Sequence, residues 1–289
     1  MQNGQYDFTL SAYRDFLAAF SAGVFCTFLD FITNDFTNRF VLRHDVDLLP
    51  GNSLRFAKLQ GDYGIRGTYY FRSVPESFNP GIITQIANLG HEIGYHYEDL
   101  SSAASKFKED EYSNKDTYIE KLLECAIESF ERNLEKMRQI VPIKTACMHG
   151  SPLSKWDSRL LWTKYDYRDF GLLGEPYFDI DFTQVAYYTD TGRRWDGDGV
   201  SRRDKIMDAE TQAIAAAKFP RFHSTFDIIN AANSGELPEQ IMFTFHPQRW
   251  HDSWWPWTKE LVGQNVKNVA KCGINVCNDR NLERSRSGR

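Results

Sequence analysis

Seven histidines are spread over the 289 residues, and three of them, together with a pair of aspartates, close four separate apolar runs. Asp45 and Asp47 follow the run at 40–42, His96 the run at 91–95, His149 the run at 143–148 and His246 the run at 241–245. Carboxylates and imidazoles are the groups that hold divalent metals and move protons. At i and i+2 on an extended chain the two aspartates project to one side, so one can bind a cation while the other takes a proton from a bound water. Independent scatter of the histidines would rarely give this arrangement. The remaining ones read differently: His44 should alternate to the face opposite Asp45, His91 follows a glycine helix cap, and both are expected to be structural, while His223 and His251 sit in polar surroundings and take no role.

For such residues to meet, the strands that end in them must run parallel with helices between them. Short β-type runs do alternate with helical patterns, the signature of βαβ units in a parallel sheet or barrel, and in such folds the C-terminal strand ends share the face where ligands bind. A helix carrying Ile82, Ile83, Ile86 and Ala87 ends at Gly90, which suits a C-terminal cap. The longest helix repeats Ile119, Leu122, Leu123, Ala126, Ile127, Phe130, Leu134 and Met137 at helical spacing, a core-facing stripe. The uncharged stretch 16–29 is too short to span a bilayer and is expected to be a buried helix end followed by a short strand. Residues 1–280 read as one domain with an insertion at about 171–224 that could cover a substrate, and the polar tail 281–289 is expected to be disordered.

Composition narrows the partners. A net charge of −5 disfavours a phosphate-backbone surface, since nucleic-acid affinity comes mostly from Lys and Arg neutralising phosphates. Five scattered cysteines without a CxxC pair point to neither a disulfide framework nor a zinc ribbon. With no evident export signal, a cytoplasmic location is expected. Nothing in the chain indicates an oligomeric state.

The motifs carry a family resemblance. The segment Arg43-His44-Asp45-Val46-Asp47 resembles the first motif of the polysaccharide deacetylase superfamily (carbohydrate esterase family four), and Gly90-His91-Glu92-Ile93-Gly94-Tyr95-His96 is similar to the start of its second. The chain at 67–71 stands where that family has a threonine- and aromatic-rich strand. The resemblance implies an α/β fold, an irregular (β/α) barrel of the polysaccharide deacetylase type. It implies Asp45 as catalytic base, Asp47 and His96 as metal ligands and His246 as general acid. One departure stands out: the family usually places a second histidine four residues after the first, and here that residue is Leu100. His149 is the first candidate to replace it, because it ends a neighbouring strand, and Glu98 is the second. The arginine-rich third motif is not evident.

The expected function is metal-dependent hydrolysis of an amide-like C–N bond, with N-deacetylation of an amino sugar or glycan precursor in surface polysaccharide metabolism as the leading case. The expected cofactor is one divalent metal, zinc first, with cobalt, nickel or manganese as alternatives. Arg193, Arg194 and Arg249 are candidate substrate-binding cations. The rival expectation is a non-catalytic carbohydrate- or metal-binding barrel, in which Leu100 records a lost site.

Overall fold

The structure is a computed structural model that describes residues 6–34, 36–150, 154–196 and 208–266. The tail 281–289 lies outside them.

The strand that ends in the two aspartates is the hub of the molecule. This strand, β2 (Phe40–Val46), follows the two-residue strand β1 (Phe25–Cys26) in the chain, and every one of its residues is buried. Its upper half pairs with β3 (Thr68–Phe71) and its lower half with β1, while its other edge pairs with β7 (Ile241–Phe245). Beyond β3 lie β4 (Glu92–Tyr97) and β5 (Ala146–Met148), and beyond β7 lies β6 (Ala186–Thr189), in the order β5-β4-β3-β2-β7-β6. All of these pairs are parallel. The architecture is therefore α/β, with a parallel sheet that forms a half-barrel and is compatible with a partial (β/α) barrel. Burial on both faces explains why the strands read as near-continuous apolar runs rather than alternating ones.

Helices connect the strands, and their ends follow from side-chain chemistry. The termini of α1 (Leu10–Ala18) and α2 (Phe28–Thr33) are capped by the hydroxyls of Thr9 and Thr27, while α3 (Pro50–Asp62) opens on proline, whose missing N–H costs nothing in the first turn. Proline also opens α4 (Pro80–Asn88), with Asn79 as its cap, and Gly90 just beyond it takes φ +87°, where a Cβ would be strained. After the short α5 (Asp99–Ala104) comes α6 (Lys115–Arg138), which buries Leu122, Leu123, Ala126, Phe130, Leu134 and Met137 of the expected stripe. The chain continues through α7 (Pro176–Asp179), α8 (Ala209–Lys218) and α9 (Thr225–Ser234). Within the stretch 171–224, expected as an insertion, lies β6, a strand of the sheet itself. That strand is short and lies between acidic, turn-rich segments, so its signal is weak in the sequence.

Beneath β2, on the side away from Asp45, lies an aromatic core of Tyr13, Phe16, Phe56, Phe245 and Trp250, with Tyr13 stacked on Phe56 at 3.9 Å. His44 belongs to it, as strand alternation predicted. It is fully buried, stacks on Tyr69 at 4.1 Å, and donates Nδ1–H to the Thr68 carbonyl at 3.0 Å while Nε2 faces the Gln60 amide at 3.0 Å. Burial disfavours the imidazolium and pushes its pKa down to about 3. At Gly94 in β4 a Cβ would collide with the Tyr70 ring.

Two outcomes follow for stability. Because His44 stays neutral in the folded chain but takes a proton near its ordinary pKa when unfolded, its contribution is complete above about pH 6.5 and is lost as pH falls towards 3. His44→Gln should flatten the decline of urea-unfolding free energy below pH 6.5 by up to about 1.4 kcal/mol per pH unit, one proton's worth; an unchanged slope would show that His44 is not buried neutral. Gly94→Ala should destabilise the fold by about 1–3 kcal/mol through overpacking against Tyr70, read by the same titration.

Candidate metal centre

Parallel pairing brings the expected residues together at one end of the sheet. Asp47 immediately follows β2, His96 lies near the end of β4, and His149 follows β5. Register makes this so: His96 sits opposite Cys147 in β5, and the backbone N–H of His149 donates to the Tyr97 carbonyl at 2.8 Å. One ligand-capable atom from each of Asp47, His96 and His149 lies within 4.8 Å of the others. His149 Nδ1 is 3.1 Å from Asp47 Oδ1 and 3.3 Å from His96 Nε2, and His96 Nε2 is 3.5 Å from Asp47 Oδ1.

The lone pairs in this cluster point inward. His96 Nδ1 lies 2.9 Å from the Cys147 carbonyl, which can only accept, so Nδ1 carries the proton and a neutral ring presents the Nε2 lone pair to the cluster. Asp47 Oδ1 is buried and makes no hydrogen bond of good geometry, while Oδ2 accepts from the Gln248 amide at 2.9 Å. An orphaned carboxylate oxygen between two imidazoles is costly unless something positive completes it. Burial alone would raise the Asp47 pKa, but imidazoles carrying positive charge or an N–H towards it, His149 first, outweigh burial and hold it well below the usual carboxylate range, an effect a bound cation would supply in their place. One carboxylate and two imidazoles suit a divalent ion such as zinc.

Asp45 stands beside this cluster, nearly fully buried and gripped by a partner from its own strand. Arg43, two residues earlier on the same face of β2, donates Nε–H to Asp45 Oδ1 at 2.8 Å and Nη2–H to Oδ2 at 2.7 Å. The bidentate geometry fixes the carboxylate plane. Asp45 Oδ2 lies 3.6 Å from His96 Nε2 and 4.0 Å from His246 Nε2.

His246 follows β7 and is oriented by Asp190, the residue after β6. Asp190 is fully buried. Its Oδ1 accepts from His246 Nδ1 at 2.6 Å, and its Oδ2 accepts from the His246 backbone N–H at 2.9 Å and from Trp250 Nε1 at 2.7 Å. Burial and the Arg249 guanidinium favour a neutral His246, yet the Asp190 carboxylate, its hydrogen bond and Asp47 overcome both and raise the imidazole pKa. Asp190 lies within the stretch 171–224, and its one signal in the sequence is that an acidic residue ends an apolar run.

The other candidates occupy different positions. Leu100 is buried in α5 and belongs to the apolar core. Glu98 accepts two N–H bonds from Arg72 through one oxygen, at 2.8 and 2.6 Å, and its other oxygen is 3.9 Å from His149 Nε2. Arg249 reaches the Asp190 carbonyl at 2.9 Å and Oδ1 at 3.2 Å. Arg193 lies over the rings of Phe8 and Trp257, and Arg194 forms a bidentate pair with Asp196. Beside Glu98 opens a groove of about 490 Å³, lined by Ser101, Ser102, Ser154, Lys155 and Trp156 among others. No helix among the described residues is long and apolar enough to cross a membrane.

Removing His149 tests the donor set. His149→Ala should lower zinc affinity by at least about 100-fold, since loss even of a group behind a ligand costs 10–100-fold, as read by competition with a chromophoric chelator. Affinity equal to wild type would remove His149 from the centre.

Compared with known proteins, the chain matches no protein-family model and no curated protein, so the centre is read from its own geometry.

Proposed function

We propose that the protein is a metal-dependent hydrolase of an amide-like C–N bond, and that its substrate is an N-acylated amino sugar or glycan precursor. One observation carries the reading: a carboxylate held by arginine and an imidazole held by a buried aspartate face each other at 4.0 Å beside three converging metal donors. A site that only bound a metal or a sugar would have no use for an acid and base pair built this way, which favours hydrolysis over a non-catalytic barrel.

The residues then divide the work. Asp47, His96 and His149 would hold a divalent ion, which when bound lowers the pKa of a water and polarises an acyl oxygen. Asp45, with Arg43 fixing its plane, accepts the proton of the attacking water. His246 keeps its proton on Nδ1 against Asp190, so Nε2 is the atom turned towards Asp45, and in the charged form its Nε2–H is available to the departing nitrogen. Support for a sugar comes from the adjoining groove, where serine side chains and the Trp156 ring line the wall, as suits a polyhydroxylated ligand with an apolar ring face, while the Lys155 ammonium there is paired with Glu109. The motif resemblance to polysaccharide deacetylases points the same way, and amide hydrolysis on another acylated amine is the nearest competing substrate class.

The direct test is acetate release from a panel of N-acetylated amino sugars and nucleotide sugars by zinc- or cobalt-loaded protein. Turnover that is abolished by chelation and restored by metal is expected; a loaded protein inert on the whole panel and on simple N-acyl amines would overturn the proposal. Asp45→Asn should keep its metal and lose roughly 10²-fold or more in kcat. Asp190→Asn separates the acid's role from its presence. A general acid must be protonated, so activity falls as pH rises through the His246 pKa, and removing the carboxylate that raises that pKa should move the alkaline limb of the kcat/KM profile to lower pH. A limb that stays in place would exclude His246 as the acid.

A further inference from the structure

The position of Arg72 and Glu98 calls for an explanation that the ligand set does not supply. Arg72 follows β3 and lies in the loop stitched to the end of β2. Its backbone N–H donates to Ser77 Oγ at 3.1 Å, and the Ser77 hydroxyl donates to the Val46 carbonyl. From there the guanidinium spans two strand ends. Nη1–H donates to the Asp47 carbonyl at 2.9 Å, while Nε and Nη2 both donate to Glu98 Oε1. The side chains are sheltered, 19% and 14% exposed, so the pair is not a fluctuating surface contact.

The consequence falls on His149. Its Nδ1 faces Asp47 Oδ1 and His96 Nε2, so Nδ1 is the atom placed to ligate. A ligating nitrogen must give up its proton, and a neutral ring then carries that proton on Nε2. The carboxylate oxygen beside Nε2 is Glu98 Oε2, at 3.9 Å, a separation that a small side-chain shift or one bridging water converts into a hydrogen bond. A metal-bound histidine usually donates its second N–H to such a partner, which fixes the tautomer and ring orientation.

We propose that Glu98 is a positioning residue, the outer carboxylate that sets His149 to bind metal through Nδ1, and that Arg72 registers Glu98 against the main chain of Asp47. The proposal rests on the metal centre described above and not on the reaction. It removes Glu98 from the ligand set and gives the charge beside Leu100 a purpose.

The test is zinc titration and ¹⁵N-histidine NMR on the full chain, with no activity readout. In zinc-loaded wild type, His149 should show a coordinated Nδ1 and a protonated Nε2. Glu98→Ala should lower zinc affinity about 10-fold or more, move the His149 Nε2–H resonance and speed its exchange, and leave the cobalt(II) absorption bands in place because the ligands are unchanged. Glu98→Gln, which keeps an acceptor oxygen, should recover part of the affinity; Arg72→Lys, which cannot grip both partners in one plane, should lose part of it. Coordination through Nε2, altered cobalt bands in Glu98→Gln, or Glu98→Ala affinity within about twofold of wild type while His149→Ala has lost it, would each overturn the positioning role alone. Wild-type protein that takes up no zinc, or His149→Ala that binds as tightly as wild type, would overturn the centre and this proposal with it.

Discussion

The backbone register of a parallel sheet is the constraint on which everything else in this molecule depends. Strands that run the same way and pair in fixed register deliver their last residues to one edge. Here that register sets His96 opposite Cys147 and ties His149 N–H to Tyr97, so two imidazoles from different strands come within hydrogen-bond distance. A slip of one residue would turn His96 to the other face of β4. Buried side chains guard against the slip. On β2, Arg43 and Asp45 must share one face to satisfy each other, while His44 must share the other with Tyr69 and Gln60.

Each of these candidate side chains is held by a hydrogen-bonding neighbour. The Cys147 carbonyl fixes the His96 tautomer, Arg43 fixes the plane of Asp45, and Asp190 fixes the ring of His246. Buried charges persist here because each has an opposite charge or a full set of donors, and an unpaired one would be costly. Asp190 shows the point most clearly: with no solvent exposure, it accepts from the His246 ring, the His246 backbone, Trp250 and Arg249. Asp47 Oδ1 is buried without a hydrogen bond, as are Arg43 Nη1 and Arg193 Nε, and among these it is the acceptor that a bound cation would complete.

Chemistry and stability divide along the faces of the same strands. The face of β2 carrying Asp45 is charged and paired, and the face carrying His44 packs into aromatic rings. Asp47, just beyond the strand, keeps one carboxylate oxygen without a hydrogen bond. Arg193, Arg194 and Arg249 are engaged in holding ring stacks, Asp196 and Asp190, which ties those cations to the scaffold as seen in this structure.

The sequence by itself determined the local half of this arrangement. Alternating apolar runs and helical stripes marked most strands and helices because burial imposes those periods, and the strand-end positions of Asp45, Asp47, His96, His149 and His246 could be read directly. Strand alternation also placed His44 away from Asp45. What only the tertiary structure decided was pairing between distant segments. β6 and Asp190 fall within the stretch that reads as an insertion, since four residues carry too little periodicity to signal a strand. The grip of Arg72 on Glu98 joins residues 26 positions apart, and that of Asp190 on His246 joins residues 56 apart. Such contacts leave no local pattern, because hydrogen bonds across a sheet depend on which strands lie side by side, and strand order is fixed only when the whole chain folds.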